Sequence, residues 1–143
     1  IRIGFINTDR IFKESNIAKQ AQSKLEQEFS KREKDLIDAE KTFKSAVEKF
    51  EREAPTLSES QRLSRQKQLG EQDRDFQRKR REFQEELGAR KNEEMQQLVE
   101  RANRVIKQFG DSEKYDLIVE GGLYINPKHD ITDKVLKAIN ASK

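Results

Sequence analysis

The residues that could do chemistry are few. The 143-residue chain holds one histidine, His129, and no cysteine. His129 follows Pro127 in a loop-like stretch with no second histidine or thiol to join it, so no metal-ligand set can be written and a surface histidine is the plain reading. Without cysteine there is neither a disulfide framework nor thiol chemistry, which permits an oxidising compartment without requiring one. Gly121 and Gly122 lead into Leu123 and Tyr124 with no Gly-Lys-Ser/Thr downstream, so they make no phosphate loop and nothing points to ATP. The adjacent acids Glu85 with Glu86 and Glu93 with Glu94 face different sides of a helix and lack a pocket that would raise a carboxyl pKa. With no convergent groups, the chain reads as a protein that is not an enzyme and calls for no cofactor and no metal.

Charge supplies the next signal. Lys plus Arg is 30 and Asp plus Glu is 27, a net charge of +3. Residues 18–53 carry 9 bases and 9 acids, whereas residues 57–109 carry 13 and 10, and residues 62–81 alone carry 8 bases against 3 acids. Arg78, Lys79, Arg80 and Arg81 sit at the centre of this excess. A solvated helix face is the default for such a run. Anion binding comes next, to acidic unfolded chains or to lipid-headgroup phosphates, because clustered positive charge concentrates anions. Nucleic acid ranks third: the interleaved acids, the small net charge and the absence of a DNA-reading motif argue against any specific nucleic-acid partner.

These residues lie on elements that a seven-residue repeat defines. Phe29, Leu36, Phe43 and Phe50 recur at sevens, as do Leu69, Phe76 and Phe83, the spacing that keeps one helix stripe against a partner. Ala54 and Pro55 interrupt the pattern, and proline disfavours helix in the residue before it. The chain therefore reverses there, with Thr56 and Glu59 spelling a capping box for the returning helix. In such a hairpin facing residues have numbers that share one sum. Phe43 with Leu69, Leu36 with Phe76, Phe29 with Phe83, Leu25 with Leu87 and Ile17 with Met95 all satisfy it. The other edge of the seam carries Arg32, Ala39 and Ala46 against Gln66, Asp73 and Arg80, polar or small residues that fix register at a cost in stability. Gly70 and Gly88 read either as flexible points or as tolerated surface glycines.

The ends read differently. Residues 1–7 alternate around Ile1, Ile3 and Phe5 as a half-buried strand would, and Thr8 with Asp9 should cap a short helix that breaks near Ser15 and Asn16. Gly110 has the residue type that ends a long helix. Residues 115–120 read as a second strand and Leu123 to Asn126 as a short third. Asp130 then caps an amphipathic helix with a stripe of Ile131, Val135, Leu136 and Ile139. The fold class is thus α+β, mostly helical: a long antiparallel coiled-coil hairpin on a small strand body. Residues 1–16 and 110–143 form the body, and residues 17–109 the arm, with its tip near 54–57. Three strands leave two sheet edges, and some 50 residues bury little apolar surface, so further subunits should complete the body. Ile3, Phe5, Leu117, Ile118 and Val119 are the expected oligomer residues.

Composition agrees. Only 32% of the chain is apolar and 40% is charged, which excludes a large globular core and fits long charged helices. No apolar run approaches a membrane span, and no signal-peptide pattern precedes the first strand, so a signal, if one existed, has been removed.

The order strand, helical hairpin, returning strands and terminal helix resembles the Skp/OmpH family of periplasmic chaperones. The stretches that carry the likeness are Ile3 to Phe12 (IGFINTDRIF), Arg90 to Glu94 (RKNEE), Tyr115 to Val119 and, most distinctively, Asp130 to Leu136 (DITDKVL). The resemblance implies a homotrimer whose strands build a shared body and whose three hairpins surround a cavity. It implies an ATP-independent holdase that binds unfolded outer-membrane proteins and keeps them soluble in the periplasm. Candidate client-binding residues on the distal arm are Phe43, Phe50, Leu69, Phe76, Arg78, Lys79, Arg80 and Arg81. Lys79 and Arg90 are the candidates for a lipid or lipopolysaccharide phosphate. The alternative is a structural coiled-coil protein that tethers or spaces other components.

Overall fold

The computed structural model describes residues 1–142. In chain order the elements are β1 (Ile3–Phe5), α1 (Thr8–Glu14), α2 (Asn16–Glu53), α3 (Glu59–Ser112), β2 (Leu117–Val119) and α4 (Thr132–Ala141), with short 3-10 turns at Ala54–Thr56 and Pro127–His129. They divide into two units, residues 26–90 and residues 1–25 with 91–143.

The first unit holds the distal parts of α2 and α3, joined at the Pro55 tip. Pro55 lies in the 3-10 turn, where its missing N–H costs nothing. The capping box that starts α3 is Ser58 with Gln61, two residues beyond the Thr56–Glu59 pair that the sequence suggests. The Gln61 N–H donates to Ser58 Oγ at 3.2 Å, and the Ser58 N–H donates to Gln61 Oε1 at 3.1 Å. Thr56 instead donates its hydroxyl to the Glu53 carbonyl at 2.7 Å, closing the end of α2. Both pairs match the S/T-x-x-E/Q pattern, and the 3-10 turn consumes the first of them.

The second unit has its core in α4. Val135 and Ile139 are fully buried, and Ile131, Leu136, Ile6, Ile11 and Ala102 join them, so the expected stripe of α4 is the centre of this unit. Two strands are present among the described residues, β1 and β2, paired in parallel with Ile3 opposite Leu117 and Phe5 opposite Val119. Residues 123–126 do not form the expected third strand, and Leu123 and Tyr124 are exposed. The inward face of β1 also differs from the expectation. Ile1 and Ile3 are exposed and Phe5 is half-buried, whereas Gly4 and Ile6 face inward. The cause is Ile131, whose side chain lies where a Cβ on residue 4 would stand.

The helix ends follow the sequence reading in part, with Ile131 rather than Asp130 at the N-cap of α4. Asn7, not Thr8 or Asp9, caps α1, its Oδ1 accepting from the Arg10 N–H. Ser15 separates α1 from α2 as the sequence suggests, but it is fully buried, with Oγ accepting from the Ala18 N–H. Gly110 does not end α3, which continues to Ser112. The left-handed position is Lys114, with φ 58°, and the Tyr115 N–H returns to the Gly110 carbonyl at 2.9 Å in a Schellman-like closure.

Candidate functional site

In the unit of residues 26–90 the seam is built around Phe29 and Phe83. Their rings meet edge to face at 5.8 Å, the register that the shared-sum argument predicts. Arg32, a seam residue of the polar edge, places its guanidinium 5.7 Å from both rings and pairs with Glu86 across the seam. Past this point the seam thins. Leu36 and Ala39 of α2, with Phe83 of α3, border a hollow of about 310 Å³ whose rim carries Asp35, Lys79 and Glu82. Ala39 is a small residue in the lining of this hollow, which is consistent with a gap in an otherwise periodic stripe. Phe43, Phe50, Leu69 and Phe76 are all half-buried, and Phe50 carries the Arg65 guanidinium 5.7 Å from its ring.

The basic run divides. Arg78 bonds Asp75 at 2.7 Å and Glu82 at 3.4 Å along its own helix, and Lys79 reaches Asp75 at 3.2 Å. The hydrogen bond from Arg78, then that from Lys79, holds the Asp75 carboxyl below its ordinary pKa. Arg80 and Arg81 are exposed on the same helix. Arg90 is engaged differently: its guanidinium forks onto Glu28 of α2 with two bonds of 3.0 Å.

In the other unit the predicted oligomer residues lie on β1 and β2. Ile3 and Leu117 are exposed, and Phe5, Ile118 and Val119 half-buried. Beside Ile118 and Val119 opens a groove of about 750 Å³, lined by Ile6, Ile11, Phe12, Ala102 and Ile106 among others. Sequence reasoning misses the α1 and α3 side of this groove. Its signal is present in Phe12 and in the stripe Leu98, Ala102, Val105, Phe109, which the heptad pattern assigns to the arm. Met95, expected to face Ile17 in the seam, is 48% exposed, and Leu98, three residues further on, is buried instead. Leu123 and Tyr124 add two further exposed apolar side chains that strand-like alternation alone does not assign to a surface.

A hydrogen-bonded clasp closes this unit. Asp130 Oδ1 accepts from the Thr132 hydroxyl at 2.6 Å and the Thr132 N–H at 3.0 Å, and Thr132 Oγ1 in turn accepts from the Asn7 N–H at 3.0 Å. The Thr132 hydroxyl, then its N–H, keeps the Asp130 carboxyl below its ordinary pKa, with Arg10 adding attraction. Asn140 Oδ1 accepts from the Asn16 N–H at 2.8 Å, so α4 also caps the start of α2. Here the residues of the DITDKVL stretch have a physical role: they tie the last helix to the first turn of the chain. His129 sits half-buried in the preceding 3-10 turn, its N–H donating to the Asn126 carbonyl at 2.9 Å.

The comparisons with known proteins agree with this architecture. The family model described as outer membrane protein (OmpH-like) matches residues 2–139. The chain is 26% identical over 140 residues to the chaperone protein Skp of Yersinia enterocolitica, covering 96% of this chain and 85% of that protein. It is 24% identical to the chaperone protein Skp of Vibrio cholerae serotype O1, with coverage of 96% and 83%. A crystal structure from Caulobacter crescentus CB15 described as OmpH-like superposes with a TM-score of 0.80 at 18% identity, over 97% of this chain and 83% of that one, which establishes a shared fold. The chain belongs to the OmpH-like outer membrane protein family.

Proposed function

We propose that this protein is a periplasmic holdase chaperone that works without ATP, binding unfolded outer-membrane proteins in a cavity between the helical arms of three identical subunits. The observation that carries this reading is the full-length family match, together with relatives named as chaperones over 96% of the chain. The unit of β1 and β2 supports self-association: a lone chain leaves Ile1, Ile3, Leu117, Leu123 and Tyr124 exposed, and the same unit carries an apolar groove. Apolar surface of this kind, next to a two-stranded sheet with an unpaired edge, is covered by association in a stable protein.

Client contact falls to the thin part of the seam and the cations around it. Phe43, Phe50, Leu69 and Phe76 are half-buried, so they present apolar surface without a contiguous patch. Arg80 and Arg81 offer exposed charge to acidic segments, and Arg78 and Lys79 do so in competition with Asp75. A lipid or lipopolysaccharide phosphate at Lys79 or Arg90 would compete with Asp75 and Glu28 in the same way.

The test is suppression of aggregation. Diluting a β-barrel outer-membrane protein from urea into buffer with this protein and no nucleotide should keep the client soluble, and sedimentation should give a trimer. A monomer with no effect on client solubility at any ratio would overturn the reading.

A further inference from the structure

An apolar stripe of period seven does not choose its own register. Positions about half a heptad further on lie on the stripe again, so the seam tolerates a slip of roughly one helical turn. Distal to Arg32 the polar edge offers little to discriminate registers: Ala39, Ala46, Gln66 and Asp73 are small or mixed in character. The short turn at Ala54–Thr56 constrains the helices of residues 26–90 at their joined end, and away from that end charge across the seam can hold them in one alignment.

The ion pairs across the seam have the required pattern. Glu28 takes both arms of the Arg90 guanidinium at 3.0 Å, and one turn further on Arg32 pairs with Glu86. From the first rung to the second, the number on α2 rises by four, that on α3 falls by four, and the sign reverses. Near the tip, Arg65 pairs with Glu53 at 3.0 Å in the same register. In the other unit Lys24 pairs with Glu94 at 3.4 Å, again with the same relation of numbers.

Alternation turns these pairs into a register code. A slip of four residues in one direction sets Glu28 against Glu86, and in the other it sets Arg32 against Arg90. Either slip brings like charges together at one of these rungs. In the first, Arg32 would meet Glu82, but Glu28 would then face Glu86. The same four charges arranged with one sign per helix would permit the slip. We propose that Glu28, Arg90, Arg32 and Glu86 form a register lock for the coiled coil, positioning the Phe29–Phe83 contact and every seam residue distal to it.

The absence of native cysteine gives a clean assay, because spin labels attach only at introduced thiols. Lys34→Cys and Lys67→Cys place labels at two exposed sites staggered along the helices, so that a one-turn slip changes their separation by about 5 Å. The paired substitution Glu28→Arg with Arg90→Glu keeps opposite charges at both rungs but makes each helix carry one sign. Double electron-electron resonance should then show a second distance population beside the original one. Adding Arg32→Glu with Glu86→Arg restores alternation and should restore a single distance. An unchanged single distance in the first variant overturns the proposal, as does a second population that persists in the four-residue variant. If the first variant fails to fold, Glu28→Gln with Arg90→Gln reads the same question, a single sharp distance again counting against the lock.

Discussion

Gly4 of β1 and Ile131 at the start of α4 interlock: a Cβ on residue 4 would overlap Ile131 Cδ1 and stand 3.1 Å from both Ile131 Cγ1 and Tyr115 Cε1. This contact turns the inward face of β1 to Gly4 and Ile6. Gly4→Ala should therefore destabilise the protein by about 1–3 kcal/mol, the range for overpacking a filled core. Ile131→Val removes the offending Cδ1 and alone should cost about 0.5–1.5 kcal/mol. The double variant should cost less than the two single changes added together, as urea unfolding of all four proteins would show. Strict additivity would mean that the backbone, not Ile131, rejects the methyl group.

Lys114 is the one non-glycine residue among those described with positive φ, at 58°. It closes α3 at a position where a Cβ is disfavoured and glycine is the usual occupant. Lys114→Gly should stabilise by about 0.5–1 kcal/mol, and Lys114→Val should destabilise by at least as much. Thermal unfolding of the two variants should shift in opposite directions.

The clasp of Asp130 on Thr132 gives a pH dependence with a definite sign. Because the folded-state pKa of Asp130 lies below its ordinary value of 3.8, the folded protein prefers the carboxylate. The stabilisation is fully present above the unfolded-state pKa and is lost as pH falls through the folded-state value. Asp130→Asn keeps an acceptor oxygen but cannot titrate. Its deficit in stability should be largest near neutral pH and shrink towards zero in acid below the ordinary aspartate range. A deficit that does not change with pH would show that geometry, and not charge, is what Asp130 contributes.

Periodicity and tertiary contact divide the responsibility for this fold. The seam, the Pro55 reversal and the α4 stripe are legible in the amino-acid sequence because each rests on a pattern sustained over several turns, and Phe29 meets Phe83 where the numbering requires. The ends of elements are not. Two overlapping capping boxes compete at the tip, Asn7 precedes the residues that look like caps, and Gly110 is a helix-ending type that α3 runs straight through. In each case local pattern admits two answers, which the 3-10 turn decides at the tip and contacts with the rest of the chain decide at the other two ends. The inward face of β1 is hidden for the same reason, since alternation gives the period of a strand but not which phase meets Ile131. The four charges of the register lock are ordinary until the two helices lie side by side.

Gly88 lies within α3, and a Cβ there would meet nothing within 4 Å. Gly70 has only the Arg74 side chain nearby, at an ordinary 3.6 Å. Neither glycine is required by close approach, so Gly88→Ala should stabilise the helix by about 1 kcal/mol through reduced backbone freedom in the unfolded chain. The functional question is then separate from the structural one. If Gly88 is a tolerated surface residue, the stabilised variant should suppress client aggregation as well as the parent does. If bending at this point is needed to take in a client, Gly88→Ala should gain stability and lose capacity together, and Gly70→Ala should show whether the effect belongs to one position or to both. Measuring unfolding and aggregation suppression on the same preparations separates the two outcomes.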